Sequence, residues 1–331
     1  MFTFQTVSSS NAMMILDDYA RNLLIGYMPF DLIAGEVFRD VPTEVDTARL
    51  IKTVAPLTIE SSIQLSGSQF GTVKLNFYSD DYYALSYKGL QAVLESYDAQ
   101  QLGGWARAKN VVLKQLEAAV QIQREYTIAS AITNPAIITQ TFAPTYTWDD
   151  YANSDPVSDF AKARKIVVGG LGATSGCGKE ANTAIMNYEV YNALRSNPQL
   201  VRAYFQTGLI PNSYQLSKDQ LAAVMGVKRV LVGMARYNSA QMNLPLTLTT
   251  IWPNSCLFAH INESLTPDEA QQSLAYSFRP SAAAQGYADL AYEWTPPGLM
   301  PEMQRYMVRA KKYDDKLVDA TCGCLITGII A

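Results

Sequence analysis

A glycine-rich stretch is the sharpest candidate for chemistry in this sequence. It runs from Gly169 to Glu180 and contains a Gly178-Lys179 pair. A phosphate-binding loop needs a glycine five residues before its Gly-Lys, and a Ser or Thr after the lysine to reach magnesium. Those two positions hold Ala173 and Glu180, and a carboxylate repels phosphate. The stretch also follows a helical pattern instead of a strand, so the sequence favours a flexible loop over a nucleotide site.

Other reactive side chains lack partners at a useful spacing. His260 is the only histidine, and a hydrogen-bonded strand histidine is favoured over a catalytic or metal-binding one. Cys322 and Cys324 have no second pair at zinc-site spacing, so they are predicted to pack in the core on one face of an apolar strand. Three acid pairs sit at predicted turns or helix starts, where carboxylates accept backbone N–H groups. They are Asp80-Asp81, Asp149-Asp150 and Asp314-Asp315. We therefore predict no enzyme, no cofactor and no metal site.

The composition favours protein contacts over nucleic-acid or membrane binding. The 331 residues carry a net charge of −4, whereas tight binding of nucleic acid needs clustered Lys and Arg. Charged residues make up only 17% and there are 20 tyrosines, and interface cores are depleted in charge and rich in Tyr. No apolar run approaches the roughly 18 residues that span a bilayer. Without Lys or Arg in the first twenty residues there is no secretory signal, so folding in cytoplasm with reduced thiols is expected.

One long helix is the element around which the others must be arranged. It is predicted between Gly103-Gly104 and Asn134-Pro135, a stretch without Gly or Pro. Three- and four-residue steps place an apolar set on one face, namely Trp105, Ala108, Val112, Leu116, Ala119, Tyr126 and Ala129. A second, polar stripe consists of Arg107, Asn110, Lys114, Glu117, Gln121 and Arg124. A helix of this length needs a sheet or a neighbouring subunit to cover its apolar side.

The segments before this helix predict an arm and a projecting hairpin. A short helix is predicted from Met13 to Tyr19, within an arm that has apolar anchors but no core of its own. From Ser62 to Leu85 the apolar residues alternate on either side of a turn at Gly67 to Gly71, which predicts a β-hairpin. One face of this hairpin has few large residues to bury, so we expect it to project from the body.

The segments after the helix predict an inserted α/β domain between two proline-rich links. The links are residues 141–147 and 295–301. Asp155 with Pro156, and Ser217 with Gln220, are helix-start patterns. Strands are predicted at Thr183 to Met186, Val227 to Met234 and Ser255 to Ala259. Two further strands, Met303 to Lys311 and Leu317 to Ile330, are predicted on either side of Asp314-Asp315, the last of them completing a sheet begun earlier.

Taken in order, these segments resemble a known family. The stretches that carry the resemblance are Ile33-Ala34, Val37-Phe38 and Val41-Pro42; Thr147-Trp148-Asp149-Asp150 and Ser154 to Val157; Asn182 to Met186; and Tyr313 to Val318 with Leu325-Ile326. Each motif is weak, but their order over nearly the whole chain resembles tailed-phage major capsid proteins. The resemblance implies an α+β, Hong Kong 97-like phage capsid fold. It would have an N-terminal arm, an extended β-hairpin loop, a long spine helix in a peripheral domain, and an inserted axial α/β domain.

The resemblance also implies a division of the chain and a set of assembly residues. Residues 1–61 would be the arm and 62–86 the extended loop. Residues 87–139 and 299–331 would form the peripheral domain, and 140–298 the axial domain. Contacts between subunits would involve residues of the loop, the arm and the two domains, namely Gly67, Phe70, Gly71, Lys74, Phe38, Trp105 and Trp148.

The function that the resemblance implies is assembly of a virion. Copies of the chain would form pentamers and hexamers of an icosahedral shell around double-stranded DNA, assembled in the host cytoplasm without a membrane. Partners would be the portal, decoration proteins and, because Met1 leads directly into the arm, a separate scaffolding protein. Lys74 lies where some relatives form a crosslink, but no partner for it can be assigned.

Two other classes of protein stay open at this stage. An encapsulin-like cargo compartment or another phage structural protein would have the same fold without a DNA-filled virion. A nucleotide-dependent enzyme would have to use the loop from Gly169 to Lys179. An electron micrograph of the expressed protein would separate the shell-forming classes from the enzyme.

Overall fold

The structure is a computed structural model, and it describes residues 6–9, 12–16, 32–50, 81–169, 176–205, 214–240, 245, 247–263, 272–281, 288–295 and 303–330. The helices are α1 Ala34–Val37, α2 Ser96–Gln101, α3 Trp105–Ile132, α4 Pro156–Val168, α5 Tyr188–Arg195, α6 Pro198–Phe205 and α7 Lys218–Met225, with a 3-10 turn at Ala320–Cys322. The first strands are β1 Thr6–Ser9, β2 Ala12–Leu16, β3 Arg39–Thr43, β4 Thr47–Arg49, β5 Tyr82–Ala84, β6 Ser86–Glu95, β7 Thr141–Phe142 and β8 Thr183–Asn187. The later strands are β9 Arg229–Gly233, β10 Arg236–Asn238, β11 Leu248–Thr250, β12 Cys256–Ala259, β13 Ala275–Pro280, β14 Asp289–Trp294, β15 Gln304–Leu317 and β16 Gly323–Ile326.

The predicted long helix is confirmed as α3. It follows Gly103 and Gly104, whose φ angles of 85° and 111° suit glycine, and its 28 residues span about 42 Å. The predicted apolar face is only partly right, because Tyr126 is exposed whereas Glu117 of the predicted polar stripe is buried. Different elements cover successive turns of α3, so its buried residues do not follow one stripe.

A seven-stranded sheet packs against the first half of α3. Its order is β1-β2-β14-β15-β13-β3, and β6 also pairs with β15. Strand β15 pairs antiparallel with β6, with β14 and, at its far end, with β13. The prediction of two strands around Asp314-Asp315 is therefore wrong, because one strand runs through both residues. Arg124 binds the Asp315 carboxylate, and Ala84 N–H donates to Asp314 Oδ2 at 3.1 Å, so both acids are satisfied inside a strand.

A five-stranded sheet of order β7-β16-β12-β8-β9 holds the largest core. Its strands β8, β9 and β12 confirm the three strands predicted between residues 183 and 259. The helix-start predictions are confirmed as well. The Asp155 side chain accepts the Ser158 N–H before α4, and Ser217 and Gln220 form a reciprocal capping box before α7.

In two places, strands from one predicted segment pair with strands of another segment. Strands β13 and β14 fall within residues 140–298 but pair with β15. Strand β16 falls within residues 299–331 but lies between β7 and β12 of the five-stranded sheet. Residues 295–301 come between β14 and its antiparallel partner β15, so this proline-rich stretch lies between two neighbouring strands of one sheet. A change of composition alone does not distinguish such a connection from a domain link.

The N-terminal part differs from its prediction at one element. Ala12–Leu16 is a strand that pairs with β1 and β14, where a helix from Met13 to Tyr19 was predicted. Pairing with distant strands overrides local helix propensity there. Most of the predicted hairpin lies outside the described residues. Its last part, β5, pairs with β4, and the Leu50 N–H donates to the Asp81 carbonyl at 2.8 Å. Leu50 and Asp81, which border the undescribed residues 51–80, are therefore neighbours in the fold.

Candidate assembly surface

A buried ion network fixes α3 to the seven-stranded sheet. Glu117 of α3 and Arg309 of β15 are each 1% exposed, and Glu117 Oε2 accepts from Arg309 Nε at 2.5 Å. Lys311 binds the other oxygen of Glu117, and Arg309 Nη2 donates to Asp289 Oδ2 of β14 at 2.9 Å. Burial by itself raises the pKa of Glu117, but Lys311 and Arg309 lower it below its ordinary value. One helix and two strands are thus held in a single register.

A second charged contact repeats this arrangement seven residues further along α3. The guanidinium of Arg124 donates to both oxygens of Asp315, each at 2.8 Å, and also to Ser277 Oγ at 3.1 Å. A bidentate Arg–carboxylate pair fixes orientation as well as distance. Burial raises the pKa of Asp315, but its bonds with Arg124 lower the pKa below its ordinary value. The far end of β15 is therefore also fixed to α3.

Glu125 joins the arm, α3 and the segment before β12. Its buried carboxylate accepts the backbone N–H groups of Ile33 at 3.1 Å and Ala34 at 2.8 Å, and Trp252 Nε1–H at 2.8 Å. Burial raises the pKa of Glu125, and these three donors only partly oppose that shift. Trp252 lies against Gly233, where a Cβ atom would come within 2.2 Å of the indole ring. This joint fixes α1 to its own chain.

The other face of the seven-stranded sheet is not covered by α3. Directly paired residues of neighbouring strands project to the same face. Leu94 of β6 and Met307 of β15 pack against α3. Tyr306 pairs with both Val93 and Trp294. Because Val93 and Tyr306 are the neighbours of Leu94 and Met307 along their strands, these three paired residues face away from α3. We call this surface the open sheet face, and its apolar residues are Tyr87, Val93, Leu290, Tyr292, Trp294, Tyr306 and Val308.

The open sheet face carries these apolar and aromatic residues beside Gln91, Glu95, Gln304 and Lys312, and it is partly exposed. Tyr87 is 47% exposed and Val93 is 43% exposed, and the other five residues are half-buried. Trp294 and Tyr306 stack with their ring centroids 4.8 Å apart. Contiguous apolar patches on soluble proteins mark contact sites. This face can therefore bury further area against another protein surface.

The residues predicted for assembly are distributed differently. Phe38 and Trp148 are buried in the core of their own chain, which does not favour their predicted role in contacts between subunits. The Trp148 indole N–H donates to Asp159 Oδ2 at 2.9 Å. Trp105 is half-buried at the start of α3, with the Arg305 guanidinium 4.4 Å from its ring centroid, and its role in assembly stays a prediction. The loop residues Gly67, Phe70, Gly71 and Lys74 lie outside the described residues.

The glycine-rich stretch follows α4, as predicted, and not a strand. Lys179 and Glu180 are exposed, while Cys177 is buried with its thiol 3.5 Å from the Lys179 carbonyl. A hydrogen bond from Cys322 lowers the pKa of the Cys177 thiol to about 7. All four cysteines are free and buried, but Cys322 lies in the 3-10 turn and only Cys324 lies in β16, so their placement on one strand face was wrong.

The other chemical candidates have structural roles. His260 Nδ1 lies 2.8 Å from the Glu180 carbonyl, which confirms a hydrogen-bonded histidine. Within the described ranges, no group of three or more His, Cys, Asp or Glu side chains is arranged to hold a metal. No helix in those ranges combines the length and the apolar character that crossing a bilayer requires.

The charged residues inside the fold were not predicted from the sequence. Glu117 was assigned to a polar stripe of the long helix, and no role was given to Glu125 or Arg309. A signal exists in β15, where Arg309 falls between apolar neighbours on a strand whose alternate positions are buried. It identifies a candidate for burial but not the carboxylate that would neutralise it.

Solved structures of phage and virus-like particle proteins have a fold similar to that of this chain. A phage-related protein from Bordetella bronchiseptica RB50 superposes with a TM-score of 0.64 at 17% identity, over 97% of this chain and 99% of that chain. The capsid of cyanophage P-SCSP1u superposes with a TM-score of 0.56 at 11% identity, over 98% and 91%. A virus-like particle from Pyrococcus furiosus superposes with a TM-score of 0.50 at 9% identity, over 93% and 97%.

Sequence comparison adds no relative, since no family profile and no curated protein matches the chain. At the identities of these structures, the likeness establishes the fold and not the function. The chain has the Hong Kong 97-like fold of phage capsid proteins, which confirms the predicted fold class.

Proposed function

We propose that this chain is a shell protein, and specifically the major capsid protein of a tailed phage. Pentamers and hexamers would build an icosahedral shell around double-stranded DNA, assembled in the host cytoplasm and located in the virion. The observation that carries the proposal is the open sheet face, an aromatic surface on a fold shared with capsid proteins. Its occupant would be a second copy of the chain. Residues 62–86, as the extended loop, would reach a neighbouring subunit.

The mildly acidic chain supports a container for DNA. With a net charge of −4, its wall would not hold nucleic acid by an extended basic surface. Portal, scaffolding and decoration proteins are the expected further partners. The proposal gives the glycine-rich stretch no nucleotide-binding role, since Glu180 stands where a phosphate-binding loop needs Ser or Thr.

The second candidate is a cargo compartment without a phage genome. It is favoured by the likeness to the Pyrococcus furiosus particle, which spans 93% of this chain. The two candidates differ in what the particle encloses, and not in the contacts that build it.

Sedimentation and negative-stain microscopy of the expressed chain, alone and with its candidate scaffold, test the proposal. Wild type should form closed shells, and Val93→Lys should leave folded subunits that do not assemble, because a charge on the open sheet face would be buried at the contact. Gln115→Lys, an exposed position on α3, adds the same charge elsewhere and should assemble. A wild type that stays monomeric with its scaffold, or that binds ATP stoichiometrically, would overturn the proposal. Nucleic acid inside the particles separates a virion from a cargo compartment.

A further inference from the structure

An apolar pocket lies between α3, β6 and the hairpin of β10 and β11. Its volume is about 520 Å³. Ligand sites span about 300–1,000 Å³, so this pocket is large enough to receive whole side chains. Its apolar lining residues are Leu90, Ala119, Ile122, Tyr126, Tyr237 and Leu248. The rings of Tyr126 and Tyr237 meet edge to face with their centroids 5.2 Å apart, so the hairpin is held against α3 at one side of the pocket.

Arg236 is the only charged residue among the described residues that line this pocket. The other polar lining residues are Gln123 and Asn238. The Asn238 side-chain oxygen is used within the hairpin, because it accepts from the N–H groups of Ala240 and Thr247, each at 3.1 Å. Arg236 is exposed, and no carboxylate of the described residues pairs with it. The pocket therefore suits an aromatic or apolar group that has an acid close by.

A loop of matching chemistry lies between β7 and α4. We call residues 146–151 the aromatic loop. Its two ends, Tyr146 and Tyr151, are 52% and 42% exposed, and it contains two aspartates. No Lys or Arg occurs between residues 141 and 161, so the loop is acidic. Trp148 within it is buried in the core. The loop is therefore fixed to the body, and its tyrosines lose little conformational entropy when they bind.

The aromatic loop and the pocket lie beside opposite edges of the five-stranded sheet. Strand β7, which leads into the aromatic loop, is one edge of this sheet. Strand β9 is the other edge, and β10 follows it directly. We propose that the aromatic loop of a second copy of the chain docks in the pocket beside Arg236, an inference that rests on the proposed shell function. A contact between opposite edges is head-to-tail, so it can be repeated from copy to copy until a ring closes.

This contact is separate from the open sheet face. Leu90 lies with Leu94 on the side of the seven-stranded sheet that packs against α3, so the pocket is on that side as well. Aromatic anchors in a pocket with a charge at the rim are the usual features of a protein contact. The acidic loop complements the positive charge of Arg236, which favours this orientation of the two copies.

Cross-linking of the full chain tests which surfaces meet. Gln123→Cys places a thiol at the pocket and Tyr151→Cys places one on the aromatic loop, and both positions are exposed whereas the native cysteines are buried. With a short bis-maleimide reagent, a mixture of the two variants should give a covalent dimer. A chain that carries both changes should give a ladder up to pentamers or hexamers. Neither variant alone should cross-link. Gln115→Cys, eight residues earlier on α3, replaces Gln123→Cys as the matched control and should give no dimer.

Assembly gives a second, independent readout. Tyr151→Ser removes an anchor and Arg236→Glu reverses the charge at the pocket. Each should raise the subunit concentration at half-assembly about ten-fold, as measured by light scattering. The effect of Arg236→Glu should be smaller in about 0.5 M salt than in about 0.05 M salt. Tyr188→Ser changes an exposed tyrosine at the start of α5 and is the matched control, expected to assemble as wild type.

Thermal unfolding of unassembled subunits separates contact from folding, and all three variants should keep the midpoint temperature of wild type. Lowered midpoints with unchanged assembly would overturn the inference in favour of a structural role. If wild type forms shells, both variants assemble at its concentration and no cross-link forms, the inference is wrong while the shell function stands. Cross-linking of Gln123→Cys to itself would contradict a head-to-tail contact. Cross-linking to the scaffolding protein instead of a second copy would replace the proposed occupant.

Discussion

Glu117 has no access to water and depends on its own chain for every partner. Besides Arg309 and Lys311, Gln121 donates to its Oε1 at 2.6 Å from the next turn of α3. Removing ions from water costs about as much as their attraction returns, so such a network adds little net stability. Its effect is on specificity. The observed position of α3 on the sheet has a lower free energy than any shifted position, because a shift would leave a buried charge unpaired.

Glu117→Gln should destabilise the unassembled subunit by about 3 kcal/mol, since it leaves Lys311 without its carboxylate and the buried Arg309 with Asp289 as its one remaining counter-charge. Urea unfolding measures this loss. The pKa of Glu117 is lowered from 4.5 in the folded state, so its contribution is present above pH 4.5 and is lost as the pH falls through the lowered value. The gap between variant and wild type should therefore shrink in acid. Glu180→Gln, at an exposed position, is the control, and equal effects of the two changes would contradict the network.

Trp252 offers a second test at residue scale, because its indole N–H is one of three donors to Glu125. Trp252→Phe keeps an aromatic ring against Gly233 but leaves the buried carboxylate one donor short. We expect a loss of about 1–3 kcal/mol in the free energy of unfolding of isolated subunits. Trp294→Phe, on the open sheet face, should cost less. A larger loss at Trp294 would show that ring packing, and not the hydrogen bond, decides the stability.

At the scale of elements, structure that depends on local signals was predicted from the sequence. Structure that depends on the pairing of distant strands was not. Helix α3 and the starts of α4 and α7 were predictable because glycine, proline and capping residues act within one turn. Strand β2 was taken for a helix because Ala12 to Leu16 has no strand signal of its own, and only pairing with β14 places it in a sheet. The unbroken strand β15 was missed because an acid pair predicts a turn unless its cations are known.

A substitution at Gly89 tests how closely β6 pairs with β15. Gly89 lies opposite Ala310, and an added Cβ atom would come within 2.4 Å of both the Ala310 Cβ and the Arg309 carbonyl oxygen. Gly89→Ala should therefore push the strands apart and cost about 1–3 kcal/mol of subunit stability. Gly35→Ala is the matched control, because no atom lies within 4 Å of its added Cβ. Thermal unfolding should show a lowered midpoint for the first variant only. Equal midpoints would mean that β6 is not held closely in the subunit.

At the scale of the whole molecule, the order of segments predicted the fold although no single motif was specific. The contact residues could not be predicted in the same way, because burial is a property of the assembled tertiary structure. Phe38 and Trp148 have the residue types of interface anchors, yet they fill the core. Val93 and Tyr306 look like ordinary strand residues, yet register places them on the open sheet face. The pairing of β6, β14 and β15 places Val93 and Tyr306 on that face, whereas packing in the largest core buries Phe38 and Trp148.

Deleting part of the predicted extended loop is the clearest test of whether this chain is a shell subunit or a monomer. The base of this loop is well fixed, because β4 pairs with β5 and both are held to β15. Lys312 binds Asp46 at 2.7 Å, and Lys316 donates to the Tyr82 carbonyl at 2.8 Å. Removing residues 66–74 and closing the chain with a short Gly-Ser link leaves every one of these contacts in place, and shortening a loop changes the closure entropy by less than about 1 kcal/mol.

The deletion variant should therefore fold cooperatively, with a midpoint close to that of unassembled wild type, but form no closed shells in a sedimentation assay. Each lost contact between subunits is repeated around every ring, so a modest loss per interface is multiplied over the particle. A Gly-Ser segment that replaces residues 66–74 at equal length is the control for side-chain contacts, and it should fail to assemble in the same way. Outright unfolding of the deletion variant would place the loop in the core of its own subunit. Complete shells from it would show that assembly depends on other surfaces, of which the open sheet face would be the first to test.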